Sequence, residues 1–355
     1  MHTTQTTKTE IPQQALFKTE TTDNASGWKS FSRGLLEFRI AKSYSSVPVK
    51  KKYLHNANKY FNDAINKIPD YTMAFGYRGK SHCILGNHKQ AVKDLSEAIK
   101  ISKNNYPDLF LYRAYSFMML EKYSHALTDL NHAIKLYGNY KTAYYLRGEV
   151  HFLSGNFIGA ANDYYYTMTC ENKKTAGDLP CADEKELRVK RGVCYYKMKN
   201  YRMALLELEP LMNSEHVSDE IKYYAGCCYI KFDKLEAIEK GLKFLMEVED
   251  AAGFENVNFE LAKFFADIPD YENAMCYIEK YLASTVGDHK ALILRGYLHT
   301  KNGNLTAALK DLFAAKEICN NDVELYLHLG KVFLELGIKN KAIDNLSKKK
   351  LSKTF

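Results

Sequence analysis

The chain has 355 residues, 46% apolar and 26% charged, with 7 prolines and a formal net charge of +8 at pH 7. These are the proportions of a soluble folded chain whose stock of Leu, Ala, Lys and Tyr favours helix. No stretch approaches the roughly 18 to 20 uninterrupted apolar residues that a membrane span needs, and the spread-out positive excess does not by itself point to nucleic acid.

In chain order, residues 1–26 hold no apolar run longer than Ala15–Phe17 and collect eight threonines among Gln, Lys and Glu. This excludes a secretory signal and predicts a disordered segment. "FSRG", ending at Gly34, reads as a first helix, and "NANKYFNDAINKIPD" supplies Ala57, Phe61, Ala64 and Pro69 as a second. Between them, Pro48 and three serines (Ser43, Ser45, Ser46) predict a loop over Ser43–Lys50.

A repeat follows. A small residue is followed twelve positions later by Ala and sixteen later by Leu or an aromatic: Gly79, Ala91, Leu95; then Ala114, Ala126, Leu130; then Gly148, Ala160, Tyr164. The series resumes at Gly192, Ala204, Leu208 and continues through Ala262, Gly296 and Gly330, while the unit at Gly226 fits with three extra residues before Gly241 and Leu245. Successive anchors stand 34 to 36 residues apart, except Gly148 and Gly192, which are 44 apart. The ten additional residues fall in "TCENKKTAGDLPCAD", Thr169–Asp183, a stretch with Gly177 and Pro180 that reads either as a hinge or as a longer turn with no mechanical role. A 34-residue unit accommodates two amphipathic helices of about a dozen residues with short turns, and small residues are needed where their axes cross closely.

This period, with small residues at the eighth and twentieth positions, an aromatic or Leu at the twenty-fourth and Ala at the twenty-seventh, resembles the tetratricopeptide (TPR) family. The resemblance covers residues 70–350 and implies an all-α, right-handed superhelical solenoid of antiparallel helix pairs. The expected organisation is a disordered 1–26, a subarray of three to four repeats over 27–169, a loop or hinge at 170–184 and a subarray of about five repeats over 185–355. In this family ligands lie along a concave face formed by first helices, with positions two, five, nine, twelve and thirteen pointing inward. Carried onto this chain, the ninth and twelfth positions give Lys80, Tyr115, Met118, Phe152 and Tyr196, and Tyr77, Tyr112 and Tyr145 adjoin them. These eight are the candidate peptide-binding groove, aromatic and apolar in its first half; amphipathic rings of this kind anchor partner segments, although with 27 tyrosines in the chain many must simply pack between helices. The Lys and Asn pattern of family members that clamp a terminal carboxylate is missing, so that subtype is not expected.

Arg recurs at the seventh position (Arg33, Arg78, Arg113, Arg147, Arg191, Arg295). It reads either as an anion grip or as a structural residue whose stem packs while its head meets a carboxylate or carbonyl. His82, His151 and His299, at the eleventh position, read as core or interface residues. The eight cysteines form no C-x-x-C pair and have no His at zinc-ligand spacing, which predicts reduced intracellular thiols and no metal or cofactor. Phosphate-loop, zincin, nucleophile-elbow and dinucleotide motifs are absent, so no enzyme is expected. The expected function is a cytoplasmic scaffold or adaptor that holds a peptide or helical segment of a protein partner. Two alternatives stand beside it: the TPR part of a larger enzyme or assembly factor, or a cytoskeletal, ciliary or nucleic-acid binder acting through Lys50–Lys52 and Lys348–Lys350.

Overall fold

The computed structural model describes residues 22–103, 106–169, 175–213, 217–249, 253–254 and 256–351. Eighteen α-helices and no strand occur among them. In order they are α1 (Thr22–Ser43), α2 (Val47–Lys67), α3 (Thr72–Ile84), α4 (His88–Ile101), α5 (Pro107–Met119), α6 (Tyr123–Leu136), α7 (Lys141–Leu153), α8 (Phe157–Thr169), α9 (Glu184–Lys197), α10 (Tyr201–Leu208), α11 (Asp219–Tyr229), α12 (Leu235–Glu247), α13 (Asn256–Asp267), α14 (Tyr271–Ser284), α15 (His289–Lys301), α16 (Leu305–Ile318), α17 (Val323–Glu335) and α18 (Lys339–Leu351). They form the expected all-α repeat array of helix pairs. None of the described helices is long and apolar enough to cross a membrane.

The chain divides into two compact units, Met1–Cys194 and Tyr195–Phe355. The boundary therefore falls inside α9 rather than in the loop at 170–184. In the first unit the pairs α1/α2, α3/α4, α5/α6 and α7/α8 pack in sequence, and the first helices touch one another as α1–α3, α3–α5 and α5–α7. In the second unit α11/α12, α13/α14, α15/α16 and α17/α18 do the same, with contacts α13–α15 and α15–α17.

The small anchor residue of each pair is there because the facing helix is against it. A Cβ on Gly79 would meet Leu95 at 2.7 Å, one on Gly148 would meet Tyr164 at 2.7 Å, and one on Gly296 would meet Leu312 at 2.9 Å. The irregular unit obeys the same rule, since Gly226 faces both Leu245 and the carbonyl of Gly241. Ala91, Ala126, Ala160, Ala204, Ala274, Ala308 and Ala342 are all fully buried. Such close axis crossings leave no room for a larger side chain at the anchor.

The N-terminal pair is real and larger than expected. Gly34 meets Phe61 and the Ala57 carbonyl, as in the other pairs, but residues 44–46 alone form the turn and Val47–Lys50 is helical. The expected loop over Ser43–Lys50 is thus corrected: Pro48 sits in the first turn of α2, where its missing N–H costs nothing. Residues 22–26, expected to be disordered, belong to α1; the rest of that segment lies outside the described residues.

Candidate functional site

Four of the six recurrent arginines show what the seventh position is for. Arg78, Arg113, Arg147 and Arg295 each present Nε and Nη2 to the carboxylate sixteen residues on, at 2.6 to 2.8 Å: Asp94, Asp129, Asp163 and Asp311. In the first unit the remaining nitrogen reaches back to the preceding second helix, donating from Arg78 to Asn62, from Arg113 to Ser96 and from Arg147 to Asn131. Arg191 instead lies over the Tyr165 ring. Each paired guanidinium therefore ties its own helix pair together, and in the first unit joins it to the one before. The fork geometry of arginine suits this and a lysine could not reproduce it. His82, His151 and His299 stand 3.8 to 3.9 Å from the same carboxylates. Burial pushes His82 and His151 below the usual imidazole range despite that neighbour.

With the arginines absorbed by structure, the candidate interaction face is the side of the first unit shared by α1, α3, α5 and α7. Of the eight groove residues expected there, three converge, Tyr77, Lys80 and Tyr112, while Tyr145 stands apart from them. Lys80 Nζ sits 5.4 Å from the Tyr77 ring and 4.9 Å from the Tyr112 ring, and donates to Asp108 at 3.3 Å. Asp108 also accepts from the Tyr140 hydroxyl at 2.8 Å. Tyr77 packs against Phe31, Phe38 and Phe61. Tyr145 lies 5.8 Å from Lys190 Nζ, which pairs with Glu149.

The other four lie outside this cluster. Tyr115 is half-buried with its ring against His88, at the start of α4. Met118 is half-buried on the following turn of α5. Phe152 packs edge-on against Phe157 of α8. Tyr196 belongs to the second unit, where its ring lies between Tyr201 and Tyr224 and packs against that unit's core.

What sequence reasoning missed is that this face is already in use. The stretch before α9 runs over it: Asp178 accepts from the Tyr112 hydroxyl at 3.0 Å and pairs with Lys42 at 2.9 Å. The Ala176 amide donates to Thr142 Oγ1 at 2.9 Å, and Leu179 and Ala182 are buried. This contact and burial push the Tyr112 phenol well above its ordinary range, the burial being the larger cause. The described part of the expected hinge is thus an anchored strap, while residues 170–174 lie outside the described residues. The extra length at 169–183 signalled an unusual segment; nothing in its composition said where it would lie.

Chemically the face offers cations, phenol donors and rings. Burial raises the thiols of Cys83, Cys194 and Cys228 to about 12, so they stay protonated. Among the described residues no cluster of His, Cys, Asp and Glu could hold a metal ion.

The sequence profile of the anaphase-promoting complex, cyclosome, subunit 3 matches residues 268–349. None of the curated protein sequences matches the chain. Among solved structures, a chain of the anaphase-promoting complex hetero-tetramer Cut9–Hcn1 aligns over 83% of this chain with a TM-score of 0.51 and 11% identity. This chain spans 58% of the length of that one. A tetratricopeptide repeat protein from Parabacteroides merdae aligns over 85% of this chain and 99% of its own, at 14% identity and a TM-score of 0.40. TTC0263, a TPR protein of Thermus thermophilus, aligns over 56% of this chain and 97% of its own, at 16% identity and a TM-score of 0.36. The 34-residue register and the buried small anchors are those of a tetratricopeptide-type repeat array, and the likeness to the Cut9–Hcn1 chain shows the same kind of fold.

Proposed function

We propose that the chain is a non-enzymatic protein-interaction scaffold whose first unit takes a segment of a partner protein on the face of α1, α3, α5 and α7. The observation that carries this reading is the convergence of Tyr77, Lys80 and Tyr112 beside Asp108, with Arg39 and Lys42 at the edge. Aromatic rings with a polar handle and a desolvated cation are the composition of interaction hot spots. Its buried free thiols suit a reducing cytoplasmic setting.

Affinity purification from cells with tagged full-length protein tests it. Lys80→Glu and a Tyr115→Ala/Met118→Ala double variant, each shown to melt like the parent, are expected to lower recovery of specific partners at least tenfold. Unchanged recovery by both would sink the assignment of the face.

A second reading is supported by the match over residues 268–349 and by the Cut9–Hcn1 likeness: the chain serves as one subunit of a larger assembly. Residues 268–349 span α14–α18, so contacts with neighbouring subunits would be made there. Native-size chromatography of cell extract separates the readings. Migration in a fixed high-mass complex that survives the α3 and α5 variants supports the subunit role, and migration as a free 40.8 kDa chain speaks against it.

A further inference from the structure

The strap on the first unit has the properties of a bound ligand. Asp178 is a side chain only 8% exposed, met by one cation and one phenol donor, Lys42 and Tyr112. Ala176 is held through its backbone amide, by the buried Thr142 hydroxyl, a contact any residue but proline could make. A turn closed by the Leu179 amide on the Ala176 carbonyl then sets Leu179 inward, 7% exposed, followed by Pro180 and by Ala182 at 4%. A backbone anchor, one carboxylate and one aliphatic plug are how short segments are recognised in trans. The charges agree. Arg39, Lys42 and Lys80 stand around this spot, with Asp108 and the strap's own Asp178 as their counter-charges.

We propose that this face recognises turn-forming acidic–aliphatic segments of partner proteins, of the Asp-Leu kind, and that residues 176–182 are a built-in competitor occupying it until a partner displaces them. This rests on the reading of the first unit as the interaction face and adds the chemistry of what it takes. A tethered segment competes at an effective concentration of order millimolar. A partner segment must therefore outbind the strap, which filters out weak ligands.

The test uses full-length protein and a fluorescein-labelled peptide copying residues 175–183, with serine in place of the cysteine, in fluorescence anisotropy. The Asp178→Asn/Leu179→Ala variant, whose strap is weakened, is expected to bind this peptide at least tenfold more tightly than the parent. A peptide carrying Lys at the Asp178 place is expected to bind neither protein. Lys42→Glu alters a side chain that is 44% exposed and keeps the test independent of any folding defect in the strap variant. It is expected to speed hydrogen exchange at the Ala176 and Leu179 amides, to lose the Asp peptide and to gain the Lys peptide. Equal affinity of parent and strap variant, equal binding of the two peptides, or unaltered exchange in Lys42→Glu would each overturn the proposal. The outcomes also separate it from the broader reading. Partner recovery that depends on Lys80 and Tyr115 while the Asp peptide fails to compete leaves the face standing and removes the strap as its internal ligand.

Discussion

Single side chains carry the array's stiffness where Arg and Asp lock across helices. Asp129 keeps 5% of its side chain exposed and Arg113 keeps 19%, so deleting the cation strands a buried carboxylate. Arg113→Met is expected to destabilise the protein by about 3 kcal/mol, and adding Asp129→Asn to recover part of that, because a broken buried pair costs more than a pair absent altogether. Urea denaturation of the single and double variants checks the order. The buried imidazoles give the second residue-scale prediction. Burial, assisted by the Lys331 cation, holds His328 down at about 4, with its ring 5.2 Å from that of Tyr297. An imidazole lowered in the folded state binds fewer protons there than in the unfolded chain. Stability is therefore whole above pH 6.5 and falls as pH drops from 6.5 toward 4, by up to about 3 kcal/mol for this group. His82 and His151 act in the same direction. His328→Phe should flatten the decline in melting temperature between pH 7 and 4.5. The recurrent Arg was legible in the sequence and its structural role followed from its place beside the small anchor. The Asp sixteen residues later was equally visible, yet only pairing the two periodicities would have named it as the partner.

At the scale of elements, turn and helix length are set by how little the packing face can shift. In four pairs the residue seven past the anchor ends the first helix in the left-handed region: Gly86, Gly155, Gly303 and Gly337 adopt φ between 75° and 81°. Glu121 stands at the same place with φ 58°, where its Cβ is crowded. Glu121→Gly is expected to stabilise the protein by about 0.5 to 1 kcal/mol, the steric relief exceeding the added chain entropy; a thermal melt would show the rise. The N-terminal pair shows why a sound pattern can still misplace a loop. The eleven residues beyond the template between Gly34 and Ala57 amount to about three helical turns. They can be shared between α1 and α2 without rotating Gly34 away from Phe61. Serines and a proline suggest a loop on composition, but Pro48 in the first turn of a helix satisfies the same chemistry. The fate of the 169–183 insertion was not legible at all, since docking of Asp178 on Lys42 and Tyr112 joins positions far apart in the chain and depends on tertiary approach.

Across the whole molecule, stability in a repeat array is a sum of local pairs and nearest-neighbour contacts. The chain has one tryptophan, Trp28, packed against the core of the first pair, so its fluorescence reports on the N-terminal end. Leu312 is fully buried over Gly296 in the second unit. Leu312→Ala is expected to cost about 2 to 5 kcal/mol locally, lowering the midpoint of helix loss by circular dichroism more than that of the Trp28 signal. Coincident shifts of both would point to a single cooperative block. The proposed function belongs to this scale as well, because the face of α1, α3, α5 and α7 exists only when the pairs are stacked. The measurement that tests it most directly is photocrosslinking in cells from single positions on the full-length chain: Arg39 on α1 and Tyr115 on α5, against Glu97 on α4, its side chain 42% exposed, as control. Discrete partner adducts at 39 and 115, reduced by excess of the Asp-Leu peptide and missing at 97, are the predicted result. Adducts confined to 97, with none at 39 or 115, would contradict the account.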